Sequence, residues 1–205
     1  MEKPFPTDIS EELPPPLRLA VAYAPRPARG LWAALLVLDA RLARVALAAG
    51  EPVLAQIRLA WWRDRFAEPA SAWPPGEPLL AALCGWDGER AALSGLVDGW
   101  EALVGVDLDR AGIAPCAAAR AAALVALDRL TGGNAAAAVA IVAQRWALDD
   151  LAARLGEEPR RVDCAHSRLP RAMRPLTILA ALARPGGSSG WRALGRTIRL
   201  GLLGR

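Results

Sequence analysis

Proline and glycine break this chain at near-regular intervals. Pro25 and Pro27, Gly50 with Pro52, the stretch 69–78, Gly85 and Gly88, Pro115, Gly132-Gly133, Pro159, Pro170 and the stretch 186–190 cut it into pieces of helical length. Proline cannot continue a helix past its first turn, and glycine ends one cheaply. Between the breaks there is no polar–apolar alternation, and β-branched and aromatic residues are scarce. The pattern predicts an all-α fold with helices near 17–23, 27–48, 51–67, 77–84, 89–104, 115–130, 134–155, 171–184 and 189–203. Short connections imply antiparallel neighbours, and no fixed-period repeat points to a solenoid.

A chain of 205 residues accommodates one core plus a tail. With 54% apolar and 22% charged residues the bulk of it is not disordered. Its longest apolar runs, near 31–38 and 134–142, fall short of the ~20 residues that a membrane-spanning helix needs. Residues 1–16 hold four acids and five prolines and read as a flexible tail. The helical domain is then expected over 17–188, and 189–205 reads as a separate C-terminal helix.

Charge and cysteine narrow the setting. The net charge of +4 is carried by arginine, since Lys3 is the single lysine. Arginine's planar fork suits phosphate or carboxylate, although GC-rich coding gives the same bias. Basic and acidic residues are interspersed, and one tyrosine and two phenylalanines give no stacking platform, so nucleic acid is not an expected partner. Cys84, Cys116 and Cys164 form no CxxC pair, as expected of a reducing compartment. The opening Met1-Glu2-Lys3-Pro4 lacks the apolar stretch of a secretory signal, and the expected location is cytoplasmic.

In the helix over 27–48, Leu31, Leu35, Leu38, Leu42 and Val45 share one face, with Arg29, Ala40 and Arg44 opposite. The next helix, opened by Glu51-Pro52, is less regular. On a helical wheel Arg58 and Arg65 fall beside Leu54 and Trp61, on the apolar side. Two readings of these arginines stand open. They snorkel past the tryptophans at a rim, or they form an anion-binding wall of a helical cup with Trp61 or Trp62 as its apolar surface.

Tyr23-Ala24-Pro25-Arg26, the helix carrying Trp32-Ala33, and Glu51-Pro-x-Leu-x-x-Ile-Arg-Leu-x-Trp-Trp-Arg-Asp64 resemble the squalene/phytoene synthase family. The stretch from Ala147-Leu148 to Arg154 is similar to the family's late active-site helix, and Leu169-Pro170-Arg171-Ala172 to the segment after it. The resemblance covers roughly 17–184. It implies a single-domain helical bundle of the isoprenoid (terpenoid) synthase type, truncated relative to active members. It also implies a prenyl diphosphate ligand and the family reaction, head-to-head condensation of two prenyl diphosphates in isoprenoid biosynthesis. Such chemistry ionises an allylic diphosphate, and two facing DxxxD motifs hold magnesium to stabilise the departing charge.

Those motifs are missing where the resemblance places them. The first would fall at Leu42, Ala43 and Ala46, and the second would begin at Arg154, with Glu157 and Glu158 following as a remnant acidic pair. Asp64 with Glu68 and Asp8 with Glu12 are the other acidic pairs four apart. No metal and no cofactor are therefore expected. The sequence looks more like the divergent branch that includes the mitochondrial complex I assembly factor, which keeps an Arg-Leu/Met-x-Trp-Trp-like stretch. The expected function is that of a catalytically degenerate pseudoenzyme, a prenyl- or lipid-binding or assembly-type protein, with Arg58, Trp61, Trp62, Asp64 and Arg65 at the ligand or diphosphate. The alternative is an active prenyltransferase of squalene/phytoene type using Mg²⁺ held by Asp64, Glu68, Glu157 and Glu158.

Other constellations read as structural. Asp98 and Glu101 are expected as solvated surface acids, and Asp107 and Asp109 as turn residues, while Asp149 and Asp150 point about 100° apart on a helix, so that at most one could face a cavity. His166, the single histidine, lies with Cys164 in a loop and completes no zinc site. Gly132-Gly133-Asn134 is expected as a turn and cap. In 189–205, Trp191, Leu194, Ile198 and Leu202 fall on one side and Arg192, Arg196 and Arg199 elsewhere. Such a basic amphipathic helix fits peripheral contact with the inner face of a membrane, or packing on the bundle.

Overall fold

The structure, a computed structural model, describes residues 9–48, 50–105, 112–156 and 168–183. Every regular element among them is helical. The α-helices are α1 (Pro15–Ala22), α2 (Arg26–Ala46), α3 (Pro52–Ala67), α4 (Pro78–Leu83), α5 (Arg90–Glu101), α6 (Ala114–Leu130), α7 (Ala136–Arg154) and α8 (Arg174–Leu182). Short 3-10 turns lie at Ile9–Glu12, Ala70–Ala72, Cys84–Glu89 and Arg171–Met173. Each expected helix from 17–23 to 171–184 has its counterpart. Those at 77–84 and 171–184 are shared between an α-helix and a 3-10 turn, and the expected helix at 189–203 lies outside the described residues.

The prolines that end one helix start the next. Six of the eight α-helices carry proline in their first two positions, where the missing N–H would have no partner anyway. For this reason ordered structure begins earlier than the expected Leu17. Pro15 and Pro16 open α1, Leu13 is buried, and Arg41 of α2 holds both Glu12 and Glu77.

Helix α2 is the hub. The expected leucine stripe is present, but every residue from Trp32 to Asp39 is buried, because α1, α3, α4, α5 and α6 all pack on it. Arg29 and Arg44 remain exposed, as their side of the wheel predicts. The Trp32 indole N–H donates to Ala172 O at 2.9 Å, tying the start of the bundle to the turn that precedes α8.

Alanine-rich stretches of α6 and α7 let helices approach closely. α6 packs extensively on both α5 and α7. At Gly99 of α5 an added Cβ would stand 2.5 Å from the Ala119 Cβ and 3.3 Å from the Cys116 Cα. The expected turn at 132–134 is built by a residue the sequence reading passed over. Asp128 is fully buried and accepts from the Ala135 N–H at 2.9 Å, while its carbonyl accepts from the Gly133 N–H at 2.7 Å. A side chain on Gly133 would overlap the Asp128 carboxylate, and Gly132 has φ +76°, so the two glycines are needed for different reasons.

Candidate functional site: a buried arginine between two carboxylates

The Trp-Trp helix turns an unexpected face inward. Leu59, Trp62 and Phe66 of α3 are buried, Trp62 stacks on Phe66 at 5.8 Å, and Phe66 meets Trp73 edge-on at 5.9 Å. The Trp73 indole N–H in turn donates to Arg65 O and Glu68 O, closing the end of α3. Arg58 and Arg65 do lie beside Leu54 and Trp61, as the wheel predicts. That side is the outside: Val53, Leu54, Ile57 and Trp61 are 63%, 50%, 61% and 40% exposed. Arg58 and Asp64 are exposed with them, while Arg65 is half-buried and pairs with Glu68 at 3.5 Å. Of the five residues expected at a ligand, Trp62 alone is in the core, and the other four line no interior wall. Glu157 and Glu158 lie outside the described residues.

The interior charge sits elsewhere. Asp39 of α2 and Arg120 of α6 are 6% and 2% exposed. Arg120 binds the Asp39 carboxylate bidentately, Nε to Oδ1 at 3.1 Å and Nη2 to Oδ2 at 2.8 Å. Its Nη1 lies 2.9 Å from Asp150 Oδ2 on α7 and 3.5 Å from Ala147 O. The guanidinium is 4.3 Å from the centre of the Trp146 ring and 5.5 Å from that of Trp100, and the Trp100 indole N–H donates to Asp39 Oδ1 at 2.8 Å. Arg154 Nε reaches Asp150 Oδ2 at 2.9 Å. Four helices thus converge on one cation held by two carboxylates and two indoles.

Each charge is tuned by that enclosure. Burial works against the charged form of Arg120, but Asp39 and Asp150 outweigh it and hold the guanidinium more firmly protonated than an ordinary arginine. Burial likewise raises Asp150, but Arg120 and Arg154 prevail and keep its carboxyl below the usual carboxylate range. One turn before Arg120, burial pushes the Cys116 thiol up to about 12, which makes it an inert packing group.

Acids at the edge of the bundle are drawn into ion pairs, Asp98 remaining exposed as expected. Asp98 and Glu101 of α5 both bind Arg63 of α3, and Asp149 binds Arg145 at 2.7 Å. Glu12 and Glu89 are lowered, first by hydrogen bonds from Arg41 and Arg129 respectively. A carboxyl lowered on folding contributes stability above its unfolded pKa and loses it as pH falls through the folded value. The urea midpoint should therefore be flat from pH 7 to about 5 and fall steeply below about 4, where carboxylates begin to protonate. A midpoint unchanged down to pH 3 would contradict these pairings.

Leu42, Ala43 and Ala46, where the first acidic motif would stand, are buried among apolar neighbours. Among the described residues no group of three or more His, Cys, Asp or Glu could hold a metal ion. Both oxygens of Asp39 accept from Arg120, with Trp100 also on Oδ1, and Asp150 Oδ2 meets Arg120 and Arg154, so these carboxylates face protein cations. Also among the described residues, no helix is long and apolar enough to cross a membrane.

Fold and site together define an all-α bundle closed around a buried Asp-Arg-Asp cluster. No family model, no curated protein and no solved structure matches this chain.

Proposed function

We propose that this protein acts by binding rather than turnover, as a catalytically degenerate counterpart of the squalene/phytoene synthases, with a prenyl or lipid-like chain or an assembly partner as its ligand. The observation that carries the reading is Arg120. Ionising an allylic diphosphate needs divalent cations held between facing carboxylates. Here the facing carboxylates, Asp39 and Asp150, close on a side chain of the chain itself. The outer face of α3, with four large apolar side chains and the exposed Arg58, supports contact with an apolar partner carrying negative charge.

The test is incubation of the purified chain with farnesyl or geranylgeranyl diphosphate and Mg²⁺. The expected result is no diphosphate release above the protein-free control. Tryptophan emission should be quenched by the prenyl diphosphate and the quenching weakened by Trp61→Ala. Release that Asp64→Ala or Glu157→Ala abolishes would overturn the reading in favour of an active magnesium-dependent prenyltransferase.

A further inference from the structure

The arginines of this chain are sorted by place. Residues 14–38 and 168–183 carry six of them, Arg18, Arg26, Arg29, Arg168, Arg171 and Arg174, and no acidic residue. All but the half-buried Arg174 are exposed. Among the described residues none of these six holds a carboxylate, whereas eight of the ten other arginines do, leaving only Arg44 and Arg58 unpaired. GC-rich coding would raise the arginine content everywhere. It would not separate paired arginines from unpaired ones.

The fold gathers the six at one end of the bundle. Arg29 Nη2 donates to Ala22 O at 3.1 Å and to Ala24 O at 3.3 Å, fastening the start of α2 to the end of α1. One turn on, the Trp32 indole N–H holds Ala172 O in the turn before α8, and α1 packs directly on α8. None of the six arginines lies more than four residues along the chain from a residue in these bonds. Two helices also begin here, α2 at Arg26 and α8 at Arg174. Neither start is closed by a side-chain cap, so their dipoles add to the positive potential. The described acids that flank 14–38 along the chain are already taken: Arg41 holds Glu12, and Arg120 holds Asp39 in the core.

Such a surface favours anions and offers little else. The exposed large apolar side chains among the described residues lie on α3 and α7, so this end lacks the apolar or aromatic anchors on which protein interfaces are centred. It also presents no exposed aromatic ring on which a base could stack. A fluid bilayer requires neither. Its anionic headgroups diffuse to wherever cations stand, and a cluster of about four to eight basic side chains holds a protein to them. We propose that this end of the bundle, where α1 meets the starts of α2 and α8, docks on an anionic lipid bilayer through Arg18, Arg26, Arg29, Arg168, Arg171 and Arg174. Each planar fork can take the phosphate or carboxylate of a headgroup with two donors. The contact is electrostatic, without insertion of side chains into the hydrocarbon, and does not depend on the ligand reading above.

Sedimentation of the full chain with lipid vesicles tests it. The chain should bind phosphatidylcholine vesicles that contain phosphatidylserine and ignore pure phosphatidylcholine. It should come off as NaCl rises from about 0.05 M to about 0.5 M, where the screening length falls below about 5 Å. Arg18→Gln, Arg26→Gln and Arg171→Gln change exposed, unpaired side chains, so the fold is not at stake. Each should weaken binding about fivefold, and the triple change about 100-fold. Arg44→Gln is the control, since Arg44 is also exposed and unpaired but stands about 27 Å from Arg26 along α2, and it should leave binding nearly unchanged. Equal loss at Arg44 would mean a response to net charge alone and would overturn the proposal. The same holds if the three changes leave binding intact while Trp61→Ala, or Arg192→Gln with Arg196→Gln, removes it, because the seat would then be α3 or 189–205. Absence of vesicle binding, with or without capture of duplex DNA or polyglutamate, would overturn it as well.

Discussion

Arg120→Met is expected to cost this protein about 3–5 kcal/mol, the range for removing one partner of a buried ion pair and stranding the other. For a chain of this size that corresponds to a fall of roughly 10 °C in Tm by circular dichroism. The loss comes from Asp39, which stays 6% exposed with its bidentate partner gone. Its remaining donor is the Trp100 indole. Adding Asp39→Asn to Arg120→Met should therefore recover a large part of the loss, since the amide needs no countercharge. The double variant should be more stable than the sum of the single changes by about 1–3 kcal/mol. An Arg120→Met chain as stable as the parent would mean that the guanidinium does not hold the carboxylates as described.

Gly99→Val is expected to be nearly as damaging, at about 3 kcal/mol, the upper range for forcing bulk into a packed contact. Its Cβ would meet Ala119 Cβ at 2.5 Å and Cys116 Cα at 3.3 Å, and the second of these is backbone that cannot swing aside. Ala119→Gly should relieve the first clash and restore part of the stability. Gly95, on the same helix, provides the control. Nothing lies within 4 Å of its Cβ direction, so Gly95→Ala should stabilise α5 by up to about 1 kcal/mol through helix propensity alone. Equal effects at 95 and 99 in chemical denaturation would refute close packing of α5 on α6.

Helix positions were legible in the sequence because proline acts locally: its fixed φ and missing N–H mark a first turn whatever surrounds it. Which face a helix buries was less legible. In α3 the wheel grouped Arg58 with Trp61 correctly, but the inward strip is Leu59, Trp62 and Phe66, a narrower set than the apolar residues turned outward. α6 is apolar on nearly every side, so periodicity cannot say which side faces α5 and which α7. The buried cluster left a trace that was readable in principle. Asp39 follows an unbroken apolar run, and Arg120 stands alone within an alanine tract. A lone charge where burial is expected implies a partner of opposite sign, but the pairing joins residues 81 apart and no local rule supplies that distance. Asp98 is exposed as expected, but the arginine it shares with Glu101 comes from α3, a pairing across helices that local spacing does not supply.

The all-round burial of α2 between Trp32 and Asp39 sets a timing problem for the ribosome. Its surface is sticky from the moment it emerges, yet the contact from Trp32 to Ala172 waits for 140 further residues, on the order of ten seconds or more of elongation. During that interval the hub of the future bundle is a naked oily rod. Holding factors that shield nascent chains should therefore matter more to its yield than to that of a protein whose central helix is assembled last.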